Sequence, residues 1–227
     1  MDAASSGPLS IRDYATKIPD DQAIWHYRQF AEFVAILQNR ALWFSRLDTL
    51  RDPFEGVSGR QSRFHQKADE HTRKGSVSCW TVDDEESELM WFAYALGNGV
   101  AIRSTKGRLK ASFRPPAVGT IVIGVVEYGI DWSEGMQHFM EIPDGYAFQK
   151  RRPFKWEREL RALLSYEYEY SGGEVIDPTY AGKSVPVDPT TLIAELWVAP
   201  YAPNWFRETV ETELKRYGYD GIPVKTR

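Results

Sequence analysis

Apolar positions along the chain gather in short runs separated by polar turns, and the runs follow two spacings. Ala23-Ile24-Trp25-His26-Tyr27 is almost continuously apolar, which suits a short buried strand. Phe30, Phe33, Val34 and Leu37 then recur at helical spacing, Asn39 is a natural helix stop, and Ala41-Leu42-Trp43-Phe44 is a second run of strand length. Periodicity leaves open whether these two strands pair with each other. Downstream, Ser76 to Trp80 alternates like a strand, Glu85 to Ala95 reads as a helix and Gly99 to Arg103 as a further strand. Gly119 to Glu127 is the strongest strand signal, being β-branched at Thr120, Ile121, Val122, Ile123, Val125 and Val126. Leu160 to Tyr168 and Leu192 to Val198 are also strand candidates. Phe206, Val210, Leu214 and Tyr217 mark the buried face of a helix that Gly218 ends, and Ile222 to Val224 reads as an edge strand.

Between these runs, residues 46–56 read as an ordered turn and 60–74 as a polar surface helix. Residues 1–20 lack periodicity and are expected to form a flexible arm. No Gly, Pro or Ser-rich linker and no internal repeat divides the rest. The expectation is one α+β domain over 21–227, with a mixed, mainly antiparallel β core flanked by helices.

Composition narrows the class. With 227 residues, 42% of them apolar, the chain is long enough to bury a core without disulfide staples. The single Cys79 cannot form an intramolecular disulfide, and no run approaches the length of a membrane span, so a cytoplasmic protein that does not enter a membrane is expected. A net charge of −4 gives no global field for polyanions. Nucleic-acid binding would need the local cluster Lys150, Arg151, Arg152 and Lys155, which a solvated turn also explains.

Several chemistries lack their signatures. The histidines at 26, 65, 71 and 138 do not share paired-ligand spacing and there is no second cysteine, so no metal site is expected. No phosphate loop, dinucleotide fingerprint or nucleophile elbow occurs. Four groups remain. His26-Tyr27 ends an apolar strand, where imidazole can be a satisfied core group or can face a ligand. Asp52-Pro53-Phe54-Glu55 sets two carboxylates around a rigid turn. Met90, Trp91 and Tyr94 share a helix face and serve either a core or a cleft wall. In Trp156-Glu157-Arg158-Glu159-Leu160-Arg161, strand alternation would line up Glu157, Glu159 and Arg161 on one face, as a salt-bridge ladder or as a catalytic set at the mouth of the core.

These groups, in this order, resemble a family of uncharacterised bacterial proteins, the domains of unknown function numbered 2971. The residues that carry the resemblance are Trp25-His26-Tyr27-Arg28, Leu42-Trp43-Phe44-Ser45, Asp52-Pro53-Phe54-Glu55, Met90-Trp91-Phe92-Ala93-Tyr94 and Glu157-Arg158-Glu159-Leu160-Arg161. A similar ending over Pro200 to Val224 extends it along nearly the whole chain from about residue 24. Arg51 stands where the family has Asn.

More distantly, the order of the elements is similar to the ADP-ribosyltransferase superfamily. That resemblance implies that NAD is the substrate and that ADP-ribose passes to a macromolecular acceptor, protein or nucleic acid, in a bacterial toxin or phage-defence setting. It implies His26, Tyr27, Ser45, Phe54, Trp91 and Tyr94 around NAD. It also implies Glu159 at the reacting carbon, with Glu157 and Arg161 beside it. Two alternatives stand next to it. One is a nucleic-acid or protein binding module without catalysis, which stacks a ligand on Trp43, Trp91 and Tyr94 and holds phosphate with the basic cluster. The other is a magnesium-dependent nuclease built on Asp52, Glu55, Glu157 and Glu159.

Overall fold

A computed structural model describes residues 9–52, 75–95, 97–115, 119–129, 145–165 and 181–227. The architecture is α+β, with mixed and mainly antiparallel strand pairing and with helices packed on the strands. Among the described residues no helix is long and apolar enough to cross a membrane. The chain divides into two compact units, one drawing on Met1–Thr16, Trp43–Cys79 and Pro115–Ser184, the other on Lys17–Leu42, Trp80–Arg114 and Val185–Arg227.

In the first unit β6 (Thr120–Val125) pairs antiparallel with β9 (Glu159–Ser165) and parallel with β1 (Ser10–Asp13). β1 lies inside the stretch expected to be a loose arm. Its Ser10 hydroxyl meets that of Thr120 at 2.8 Å, and its backbone continues the β6 ladder. β3 (Ala41–Arg46) pairs with the start of β4 (Ser76–Val82), at Ser45 opposite Val77, and with β10 (Gly182–Pro186). The β-branched run of β6 breaks at Val126, and a two-residue β7 (Glu127–Tyr128) follows, paired with β8 (Gln149–Lys150). Leu47, Val77, Val122, Ala147, Phe148 and Leu163 form the core of this unit. Gly124 is required there, because a Cβ would sit 2.6 Å from the Phe148 ring.

In the second unit β2 (Ala23–Gln29) pairs along its whole length with β5 (Gly99–Thr105), and β5 with β11 (Glu195–Val198). The last residues of β4 pair with Ile24 and Trp25, and β12 (Val224–Lys225) runs parallel to β11. The helices are α1 (Phe30–Asn39), α2 (Glu88–Tyr94), α3 (Lys106–Ser112), a short α4 (Pro189–Leu192) and α5 (Asn204–Arg216). Of its periodic residues α1 buries Phe33 and Leu37, with Ile36 beside them, and leaves Phe30 and Val34 half-buried; its last turn closes on Arg40, which takes a left-handed φ of 49°. Ser87 caps α2 by accepting from the Met90 amide, so this helix begins three residues later than the apolar pattern suggests. The expected strand over 192–198 starts only at Glu195, because Asp188 and Pro189 nucleate α4 first.

Candidate active site

β9 is buried at every position, yet it begins with Glu159 and carries Arg161 two residues on. Alternation puts both side chains on the face that Leu163 continues into the core. Arg161 is fully enclosed. Its Nε donates to Glu159 Oε2 at 2.6 Å and its Nη1 to the Ala147 carbonyl at 2.7 Å. The Glu159 amide donates to the Tyr128 hydroxyl at 2.9 Å, a contact made possible by the β7–β8 pair that brings Tyr128 opposite Lys150.

Glu157 is not on this strand. Pro153 opens a 3-10 turn over Arg152–Glu157, and Arg158 takes a left-handed conformation with φ 44° and ψ 54°, so the chain reverses before β9 begins. The strand alternation expected to align Glu157 with Glu159 is therefore absent. Lys150 reunites them instead. Its Nζ donates to Glu159 Oε1 at 2.6 Å and also to Glu157 Oε2, and its side chain is only 6% exposed. The result is a buried chain of alternating charge, Glu157–Lys150–Glu159–Arg161.

The two carboxyls are held in unequal states. Burial, followed by the hydrogen bond to Glu159 and its charge, pushes Glu157 up to about 7. Burial alone would also raise Glu159, but Arg161, the hydrogen bond from Glu157 and Lys150 together hold it well below the usual carboxylate range. Burial and the Glu159 charge push the Tyr128 phenol up, so it is a neutral hydroxyl at ordinary pH. The surroundings therefore favour the ionised form of Glu159 and the protonated form of Glu157. Opposed environments of this kind separate acid and base roles in a carboxyl pair.

The other basic residues of the 150–155 segment have different positions from those a phosphate-binding patch needs. Arg151 makes a two-pronged contact with the buried Asp52, at 2.9 Å from Nε and 2.9 Å from Nη2. Only Arg152 and Lys155 remain as exposed cations not committed to these acids. The nuclease arrangement meets a similar obstacle, since Lys150 places an ammonium between Glu157 and Glu159, and Arg151 already binds both oxygens of Asp52. Glu55 and Phe54 lie outside the described residues. Among the described residues no group of three or more His, Cys, Asp or Glu side chains is arranged to hold a metal ion.

The remaining candidates sit elsewhere. Ser45 is half-buried on β3 in the first unit. In the second unit His26 is buried, its ring stacked on Trp80 at 4.5 Å, with its Nε2 accepting from Arg28 Nε at 2.7 Å. Tyr27 packs against the edge of Trp91 at 5.0 Å and its hydroxyl accepts from the Ser87 amide at 2.8 Å. Trp91 is buried and donates its indole N–H to Glu86, while Tyr94 is half-buried against the same cluster. Trp43 is 46% exposed. Sequence reasoning gives Lys150 a place in the basic 150–155 cluster rather than between the two acids, and it misses Tyr128. Both come from two-residue strands, too short to leave any periodicity.

No protein-family model matches the chain, and no curated protein does. Among solved structures the chain is similar to DarT of Thermus sp. 2.9 in complex with NAD+, at 12% identity over 92% of this chain and 97% of that one, with a TM-score of 0.43. It is similar also to the same protein in complex with ADP-ribosylated single-stranded DNA, at 12% identity over 92% and 96%, with a TM-score of 0.44. Likeness of that order says nothing of what this chain binds.

Proposed function

We propose that the chain transfers ADP-ribose from NAD to a macromolecular acceptor, with Glu159 as the carboxylate at the reacting carbon. The observation that carries this reading is the unequal carboxyl pair, one member ionised by Arg161 and Lys150, the other poised near neutrality. The chemistry needs both. When the bond between the ribose C1 and the nicotinamide nitrogen breaks, its electron pair leaves with nicotinamide, and C1 acquires oxocarbenium character that a fixed carboxylate stabilises. The acceptor's nucleophile then bonds to C1 and releases a proton, which a carboxyl titrating near pH 7 is suited to take. In this scheme Arg161 is a positioning residue, since it bonds Glu159 and the Ala147 carbonyl. The roles of His26, Tyr27, Ser45, Phe54, Trp91 and Tyr94 around NAD, and a toxin or phage-defence setting, come from the superfamily resemblance of their motifs.

The test is direct. The full chain is incubated with NAD and with candidate protein and nucleic-acid acceptors, without added magnesium, and free nicotinamide and added acceptor mass are measured. Release that depends on Glu159 supports the transferase. The result against it is no release from the folded wild type with any acceptor, together with a Glu159→Gln variant that differs only in melting temperature. The charged cluster would then serve folding alone.

A further inference from the structure

The second unit carries an open cleft of about 500 Å³ whose chemistry is unrelated to the carboxyl pair. Its floor follows from strand register. Trp25, Arg103 and Glu195 are direct cross-strand neighbours, and so are Tyr27, Ala101 and Trp197 in the next row of the same face. Trp25 and Trp197 meet edge to face at 5.5 Å, and the small Ala101 leaves room beside them. The Arg103 guanidinium lies 5.8 Å above the Trp25 ring, and its Nη1 is 3.6 Å from Glu195 Oε2. The loop ahead of α2 adds Asp84, Glu85 and Glu86, so four carboxylates face two guanidiniums, those of Arg103 and Arg227.

The carboxylates are not equivalent. Asp84 accepts from Gln22 Nε2 at 2.8 Å, and Glu195 accepts from Trp197 Nε1 at 2.9 Å. Glu86 is fixed, with a side chain only 10% exposed and Oε2 taken by the Trp91 indole. Its other oxygen, Oε1, is buried and has no hydrogen-bond partner. Arg227 supplies charge there without a proper bond: its Nε stands 3.2 Å from Oε1 outside hydrogen-bonding geometry, and its Nη1 is 3.9 Å from Glu88. The Arg227 side chain is 68% exposed. A buried, oriented acid is thus met by a loosely seated guanidinium from the chain itself.

We infer that this cleft is a binding site for an arginine side chain of a basic peptide segment, and that Arg227 occupies it as a displaceable stand-in. A planar guanidinium suits the site because it can donate to Glu86 Oε1 while lying against indole, whereas the surplus of negative charge repels nucleic acid. The inference is independent of NAD and of Glu159.

The experiment uses acetyl-Gly-Arg-Gly-amide and its uncharged citrulline counterpart, titrated into the full chain at low ionic strength and followed by calorimetry. Arg227→Ala, a change at an exposed side chain, should bind the arginine peptide about tenfold more tightly than wild type, because the stand-in is gone. Adding Glu86→Gln, which keeps the bond to Trp91 but removes the charge, should erase that gain. The citrulline peptide should bind at least about tenfold more weakly to Arg227→Ala than the arginine peptide does. The inference is overturned if Arg227→Ala binds no better than wild type, or if the citrulline peptide binds as well as the arginine peptide. The citrulline comparison decides the matter even if Glu86→Gln does not fold.

Discussion

Lys150 and Glu159, nine residues apart along the chain, meet at 2.6 Å where both are almost completely enclosed by protein. A lone ammonium or carboxylate at such depth would lose several kcal/mol of hydration, so each makes the other tolerable. Glu157 and Arg161 extend the same logic on either side. Removing any member leaves an uncompensated charge, which is why substitutions here must be read for folding and for chemistry separately.

Glu159→Gln should lower nicotinamide release by about 10²–10³ when assayed well below the melting temperature, the usual loss for one electrostatic contact in the transition state. It should also cost stability, by about 3 kcal/mol, since the buried Arg161 then loses the carboxylate it bonds and Lys150 keeps Glu157 as its acidic neighbour. Urea unfolding and single-turnover release on the same preparation separate the two effects. Full activity in this variant would remove Glu159 from the chemistry.

The pH dependence of stability should carry the mark of Glu157. With its carboxyl pushed up to about 7, the folded chain still holds a proton that the unfolded chain has already released at mildly acidic pH. Unfolding therefore becomes easier as pH rises from the ordinary carboxylate range to about 7, and the effect levels off above that. Glu159 acts in the opposite sense, stabilising the fold above the ordinary carboxylate range and losing that contribution as pH falls below that range toward the lowered value of the folded carboxyl. Relative to Glu157→Gln, the wild-type melting temperature should decline between about pH 5 and pH 7.5. Parallel curves for the two proteins would mean that Glu157 does not titrate near neutrality.

His26→Ala removes a ring stacked on Trp80 and the acceptor for Arg28 Nε. A cost of about 3 kcal/mol is expected from the cavity and the lost bond. His26→Phe should restore part of it by keeping the stack. A weakened affinity for NAD in the folded variant would bear on the NAD role proposed for His26, and an unchanged melting temperature would contradict its part in the core.

Arg40→Gly should stabilise the protein by about 1 kcal/mol, because Arg40 ends α1 in the left-handed region where glycine has no Cβ penalty. The Arg40 carbonyl still accepts from the Val187 amide at 2.8 Å, so no contact is lost with the exposed side chain. Thermal unfolding should shift upward by about 2–4 °C. Arg40→Val, β-branched at the same position, should shift it down.

Elements with a large apolar face were legible in the sequence: β2, α1, β6 and α5 lie where periodicity puts them. α3 was not, because its buried residues Lys106, Leu109 and Ser112 include two polar ones, and the buried Lys106 pairs with Asp20 at 3.3 Å. The acids at 157 and 159 were legible as a pair but not in their geometry. A left-handed residue at 158 defeats strand alternation, and the ammonium that joins them arrives from a two-residue strand.

Each compact unit is stitched from three separate stretches of chain, and the two sets interleave. β1 at Ser10–Asp13 must wait for β6 at Thr120–Val125, which in turn pairs with β9 ending at Ser165. During synthesis the N-terminal strand therefore emerges long before its partner exists, and neither unit can close while the nascent chain is half made. Such long loop closures slow folding and leave open strand edges in the meantime, which favours late, concerted assembly and a need for holding factors at the ribosome. For the same reason no single cut in the chain separates the units. Isolating either one calls for a rewired order of segments rather than a truncation.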